Sequence, residues 1–135
     1  YLPPKERRGL VLIDPPFEAP DEADAVERAL ERALRKWPTG IYIAWRPIRE
    51  AQADAHFLNS IAALAVPNIL RLELDIGSGP VGSHGQEPLA RAGLLVVNPP
   101  HTLVDEARTL MPWLAQTLGR NGAGKHLCAW LTEPK

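Results

Sequence analysis

The sequence has little cysteine: one, Cys128, in 135 residues. That excludes an internal disulfide and suits a reducing, cytoplasmic compartment. Long hydrophobic runs are missing too. No apolar stretch reaches the roughly 18 residues of a membrane span, and no signal-peptide pattern opens the chain. Neither sign of charge is in excess, since 15 Lys and Arg face 16 Asp and Glu for a formal net charge of −1. Such a balance lacks the broad basic field of a general nucleic-acid coat. Positive charge is local instead, in Lys5, Arg7 and Arg8, either as ordinary solvated charge or as a contact for phosphates. The four histidines show no metal spacing, and His126-Leu127-Cys128 is a strand pattern, so no metal site is expected. There is no initiator Met, and a strand-like run follows Tyr1 within ten residues. A piece of a longer protein is therefore expected. What the chain does have is 45% hydrophobic residues, enough for the core of one domain, and 14 prolines that punctuate it.

Gly9 to Ile13 is a continuous apolar run, the pattern of a strand buried on both faces. Pro20 and Asp21 open a helix in which Val26, Leu30, Ala33, Leu34 and Trp37 recur at helical spacing. Asp24–Arg28 and Glu31–Arg35 are candidate i,i+4 pairs, Arg35 and Lys36 suit the C-terminal dipole, and Pro38 with Gly40 ends the helix. Gly40 to Trp45 reads as a second strand broken by Pro47, and Arg49 to Ala65 as a second helix with Phe57, Ile61 and Leu64 on one face. Asn68 to Ile76 alternates apolar with charged residues, which predicts a strand with one wet face. Leu94 to Val97 is a further strand. Thr102 is placed to cap a third helix, kinked or restarted at Pro112 and ended by Gly119, and His126 to Thr132 is a last strand. This order predicts an α/β sheet of about five strands with flanking helices and crossovers.

In open α/β sheets, ligands gather beyond the carboxyl ends of the strands. The first strand ends there in Asp14-Pro15-Pro16-Phe17. Two prolines fix φ and remove two N–H donors, leaving rigid outward carbonyls beside a carboxylate. That arrangement suits an –NH₂ group, which carries two donors. Phe17 adds a flat surface on which a base can stack, worth roughly 1–3 kcal/mol. Together these residues read as a clamp for the exocyclic amine of a planar ring. The structural alternative is an Asp that closes a turn or caps a helix.

Asp14-Pro15-Pro16-Phe17 matches the Asp/Asn-Pro-Pro-aromatic motif of amino-group methyltransferases that use S-adenosylmethionine. Those enzymes act on adenine, cytosine, guanine or glutamine amines. The wider run of LPPKERRGLVLIDPPFE, TGIYIAW, ILRLEL, GLLVVNPP and MPWL resembles the bacterial 23S ribosomal RNA adenine-N6 methyltransferases of the RlmJ type, over that family's C-terminal half. The resemblance implies a Rossmann-like, S-adenosylmethionine-dependent methyltransferase fold, with residues 1–135 as its catalytic half. It implies protein-free or early-assembly 23S rRNA as substrate. Asp14 becomes the catalytic residue, bordering the cofactor as well, and accepts hydrogen bonds from the N6 amine together with the Pro15 carbonyl. Pro15, Pro16 and Phe17 become substrate-binding residues, with Phe17 stacking on an extruded adenine. A DNA adenine methyltransferase and a non-catalytic RNA-binding module remain as alternatives.

Two further stretches compete for these roles. Asn98-Pro99-Pro100-His101 repeats three of the four motif positions; the resembling family carries this second motif without catalytic use, so a structural strand end is expected. Leu74 to Gly82 looks like the acidic-Gly-x-Gly loop that binds S-adenosylmethionine. Such a loop should open a helix, however, and Ser83 to Gly93 offers barely two turns and contains Pro88, so a strand-to-strand connection is expected. The upstream cofactor loop is then missing from this stretch, and the piece alone is expected to be inactive. Trp45, at the end of the second strand, either lines the cleft or packs in the core.

Overall fold

In the computed structural model, residues 2–85 and 87–135 are described. The elements run β1 (Leu10–Ile13), α1 (Glu22–Lys36), β2 (Ile41–Pro47), α2 (Ala51–Ala63), β3 (Ile69–Asp75), β4 (Arg91–Val97), α3 (Leu103–Leu118) and β5 (Lys125–Thr132). The sheet order is β1-β2-β4-β3-β5. β1 and β2 are parallel, while β4 lies antiparallel between β2 and β3, and β5 closes the far edge antiparallel to β3. β1, β2 and β3 consequently end at one rim. β4 ends at the opposite rim.

The apolar periods decide which helix covers which face. Val26, Leu30 and Leu34 of α1 and Phe57, Leu58 and Ile61 of α2 bury against Tyr42, Ala44, Leu95, Val97 and Ile69. On the other face Ala107 and Met111 of α3 pack on Leu70, Leu72 and Val96. α1 carries Glu22 and Asp24 in its first turn and Arg35 and Lys36 in its last, as its dipole favours. The Glu31–Arg35 pair forms at 2.5 Å, whereas Asp24–Arg28 is not among the ion pairs of the described residues. Pro112 does not restart α3, which runs through it as one helix. Pro47 likewise belongs to β2, opposite Ala92. Tyr42 is fully buried; its hydroxyl donates to the Trp37 carbonyl at 2.8 Å, with the Ala33 carbonyl 3.1 Å away. Burial raises its pKa above the usual 10.0. No helix among the described residues is long and apolar enough to cross a membrane.

Two expectations are corrected. Among the described residues of this chain β1 is not covered on both faces: Leu10 and Leu12 are 57% and 62% exposed. β1 pairs with β2 alone among the described residues, and α3 lies over β3 and β5 rather than over it. The charged face of β3 is not wet either. Glu73 is buried, because Arg46 crosses β4 to reach it. Arg46 is 2% exposed, and its Nε donates to Asp54 of α2 at 2.7 Å while Nη2 donates to Glu73. Arg71 also donates to Glu73. Gly93 makes the crossing possible, since a Cβ there would lie 2.3 Å from Arg46 Nη1. Opposite charges brought together inside the fold replace the water that the alternating sequence led one to expect.

Candidate active site

Asp14 to Phe17 form an irregular segment directly after β1, at the rim where β1, β2 and β3 all end. Asp14 is exposed, and its carboxylate accepts no hydrogen bond among the described residues. Asp75 shows what a turn-closing carboxylate looks like here, with Oδ1 accepting from the Gly77 amide at 2.8 Å. The residue at the N-cap of α1 is Asp21, seven positions further on than Asp14. Asp14 therefore neither caps that helix nor closes a turn, and its lone pairs are available to a donor from outside.

Phe17 has φ 52°, in the left-handed region that a residue with a Cβ seldom adopts. Such a backbone costs on the order of 1–3 kcal/mol and persists only where its surroundings hold it. Its half-buried ring meets Trp45 of β2 edge-to-face, with centroids 5.8 Å apart and planes at 66°. A cavity of about 420 Å³ opens beside Phe17, bounded by Pro20 and Ala23 on one side and Ala53 and Phe57 of α2 on the other. Arg49, exposed, is a cation on its lining.

The other sequence candidates separate cleanly by position. Asn98 follows β4 and so stands at the opposite rim. Its side-chain amide donates to the carbonyls of Pro38 and Gly40, both at 2.8 Å, and its backbone amide to Asn68. It is a clasp between chain segments. Gly77 to Gly79 lead from β3 into its antiparallel neighbour β4, with no helix among the described residues of the connection. The concavity of this loop is already filled: Arg120 Nη1 donates to the Gly77 carbonyl at 3.4 Å, and a Cβ on Gly79 would stand 1.9 Å from that nitrogen. Lys5, Arg7 and Arg8 are exposed but precede β1, so the length of that strand separates them from Asp14. Sequence reasoning missed both Arg49 on the lining of the cavity beside Phe17 and the buried Arg46–Asp54–Glu73 cluster behind it. An arginine inside the buried period of β2 was the available signal.

The family model described as Ribosomal RNA large subunit methyltransferase D, RlmJ matches residues 1–132. The chain belongs to the RlmJ family. Ribosomal RNA large subunit methyltransferase J of Haemophilus influenzae is 37% identical over 131 residues, which are 97% of this chain and 45% of that protein. Its Escherichia coli namesake is 31% identical over 130 residues, 96% of this chain and 45% of that protein. The chain thus spans less than half the length of these RlmJ relatives and corresponds to their C-terminal portion. A crystal structure of a Legionella pneumophila protein of family DUF519 superposes with a TM-score of 0.81 at 29% identity, covering 95% of this chain and 45% of that one. The mixed five-stranded sheet with three helices is accordingly a portion of a Rossmann-like methyltransferase fold.

Proposed function

We propose that this RlmJ-family chain is the catalytic portion of an enzyme that methylates the N6 amine of an adenine in 23S ribosomal RNA. The observation that carries the proposal is Asp14-Pro15-Pro16-Phe17 at the rim, with an unengaged carboxylate three residues before a ring that borders a cavity, although Asp14 itself is not on that cavity's lining. Asp14 and the Pro15 carbonyl accept hydrogen bonds from the two N–H groups of the amine. This turns the nitrogen lone pair out of conjugation with the purine. Phe17 stacks on the extruded base, and Pro15 and Pro16 keep the acceptors rigid. As positive charge develops on the nitrogen, the Asp14 carboxylate stabilises it, and the amine proton then leaves by way of that carboxylate to water.

S-adenosylmethionine, when bound, would supply a methyl group activated by its sulfonium charge. Among the described residues the chain offers it Asp14 at the rim, whereas the Gly77–Gly79 loop is occupied by the Arg120 side chain and leads to an antiparallel strand rather than into a helix. The remaining donor contacts belong, in this reading, to the part of RlmJ proteins that this chain does not span. Protein-free or early-assembly 23S rRNA is the substrate, since an extruded adenine must be reachable.

The test is Asp14→Ala in the complete protein, given labelled S-adenosylmethionine and either protein-free 23S rRNA or matched duplex DNA. Methyl transfer to RNA should fall by roughly two to three orders of magnitude, the scale of a lost transition-state contact, with folding unchanged. Undiminished turnover would sink the catalytic role of Asp14 and favour a module that only binds RNA. Label on the DNA alone would replace the substrate and leave the chemistry standing.

A further inference from the structure

Stacking an extruded base demands a ring held in one pose, yet Phe17 lies in an irregular segment with a left-handed backbone. Something outside that segment has to hold it. Phe17 packs against the edge of the α1/α2 core, and its aromatic neighbour is Trp45, which differs from it in standing within a strand. It stands in β2, opposite Leu94 of β4, within the hydrogen-bonded sheet. Buried Arg46 follows it directly, tied to α2 through Asp54 and to β3 through Glu73. Arg46 points to the opposite face of the sheet from the indole, so what it anchors is the Trp45 backbone, at the rim where Asp14 stands.

The geometry of the contact matters as much as its presence. At 5.8 Å and 66° the two rings meet edge-to-face. Either the edge of Phe17 meets the indole face, or the face of Phe17 meets the indole edge. In the first case both faces of Phe17 stay clear of Trp45, and in the second one face does. The 420 Å³ cavity against Phe17 supplies room beside the ring.

We infer that Trp45 is a positioning residue: it sets the pose of the Phe17 ring, so that a purine stacked there presents its amine to Asp14. This rests on the proposed adenine chemistry and adds a determinant from a different strand. Trp45 is not among the residues that line the cavity beside Phe17. Its effect passes through Phe17, and a residue that merely filled the core would act through stability instead.

The two roles part in steady-state kinetics of the complete protein on 23S rRNA. Trp45→Ala should lower kcat roughly three- to tenfold, the worth of one edge-to-face aromatic contact, with KM for RNA nearly unchanged. Trp45→Leu keeps apolar volume without a ring, so it gives the same kinetic loss with less risk to folding, and Trp45→Phe should restore most of kcat. In a Phe17→Ala background the Trp45→Leu change should have no further effect, because the ring it positions is gone. Full kcat in Trp45→Leu overturns the inference, as does an equal loss with and without the Phe17 ring. If Phe17→Ala itself retains full turnover, the stacking role falls and this inference falls with it. If Phe17→Ala is impaired and Trp45→Leu is not, only the positioning role is refuted.

Discussion

Asn98→Ala separates the two Pro-Pro motifs, because the same alanine substitution that should stop chemistry at Asp14 should cost only stability here. The Asn98 amide makes two hydrogen bonds of 2.8 Å, to the Pro38 carbonyl in an exposed setting and to the Gly40 carbonyl in a partly buried one. Losing the partly buried bond costs about 1 kcal/mol and the exposed one roughly half of that. Asn98 also has φ 53°, which asparagine tolerates and alanine resists by a further ~1 kcal/mol. The expected sum is about 2–3 kcal/mol, since the contributions act on one residue and share no partner. Asn98→Gly divides the total, because glycine accepts the backbone angle but supplies no donor, and should cost about half as much. Denaturant unfolding of the complete protein measures both, read as a shift in midpoint at constant slope. Methyl transfer, measured well below the unfolding midpoint, should stay near wild type. An Asn98→Ala protein of undiminished stability that no longer methylates RNA would refute the reasoning and move the chemistry to the opposite rim.

Two further predictions concern the core. Glu73→Ala should destabilise by about 3–5 kcal/mol, the cost of leaving buried positive charge without its partner, and by more than Asp54→Ala. Glu73 holds Arg46 and Arg71 and lies 3.8 Å from Arg91, whereas Asp54 holds Arg46 alone; the reverse order in denaturant unfolding would contradict this account. Tyr42→Phe should cost about 1 kcal/mol for the lost hydroxyl contact. Burial raises the Tyr42 pKa above 10.0, so the folded protein keeps the proton longer than the unfolded chain does. Its contribution is complete below pH 10 and is lost as pH climbs toward the raised value. The variant should show a flatter alkaline decline in stability, and an unchanged decline would assign that limb to other groups.

Local pattern carried a long way in this chain. Helical spacing placed Val26, Leu30 and Leu34 on one buried stripe, Pro and Gly marked the boundaries within a few residues, and the apolar run before Asp14 put a carboxylate at a strand end. These features depend on near neighbours, so a linear reading reaches them. The family too was legible, since Asp14-Pro15-Pro16-Phe17 and the segments around it keep a recognisable order. Strand order, by contrast, belongs to pairings between distant residues. It alone put Asp14 and Asn98 on opposite rims, although their motifs differ by two letters. Within this chain, which spans less than half the length of its relatives, β1 pairs with β2 alone and Leu10 and Leu12 are open, where a run of apolar residues suggests burial on both sides. The alternation in β3 could not say that Arg46 would cross Gly93 to meet Glu73, because burial of charge depends on a partner some 27 positions away in the chain. Trp45 is the same case at the site itself. Its residue type was visible in the sequence, but only the parallel register of β1 and β2 brings its indole against Phe17, and that contact turns a strand-end aromatic into a part of the candidate site.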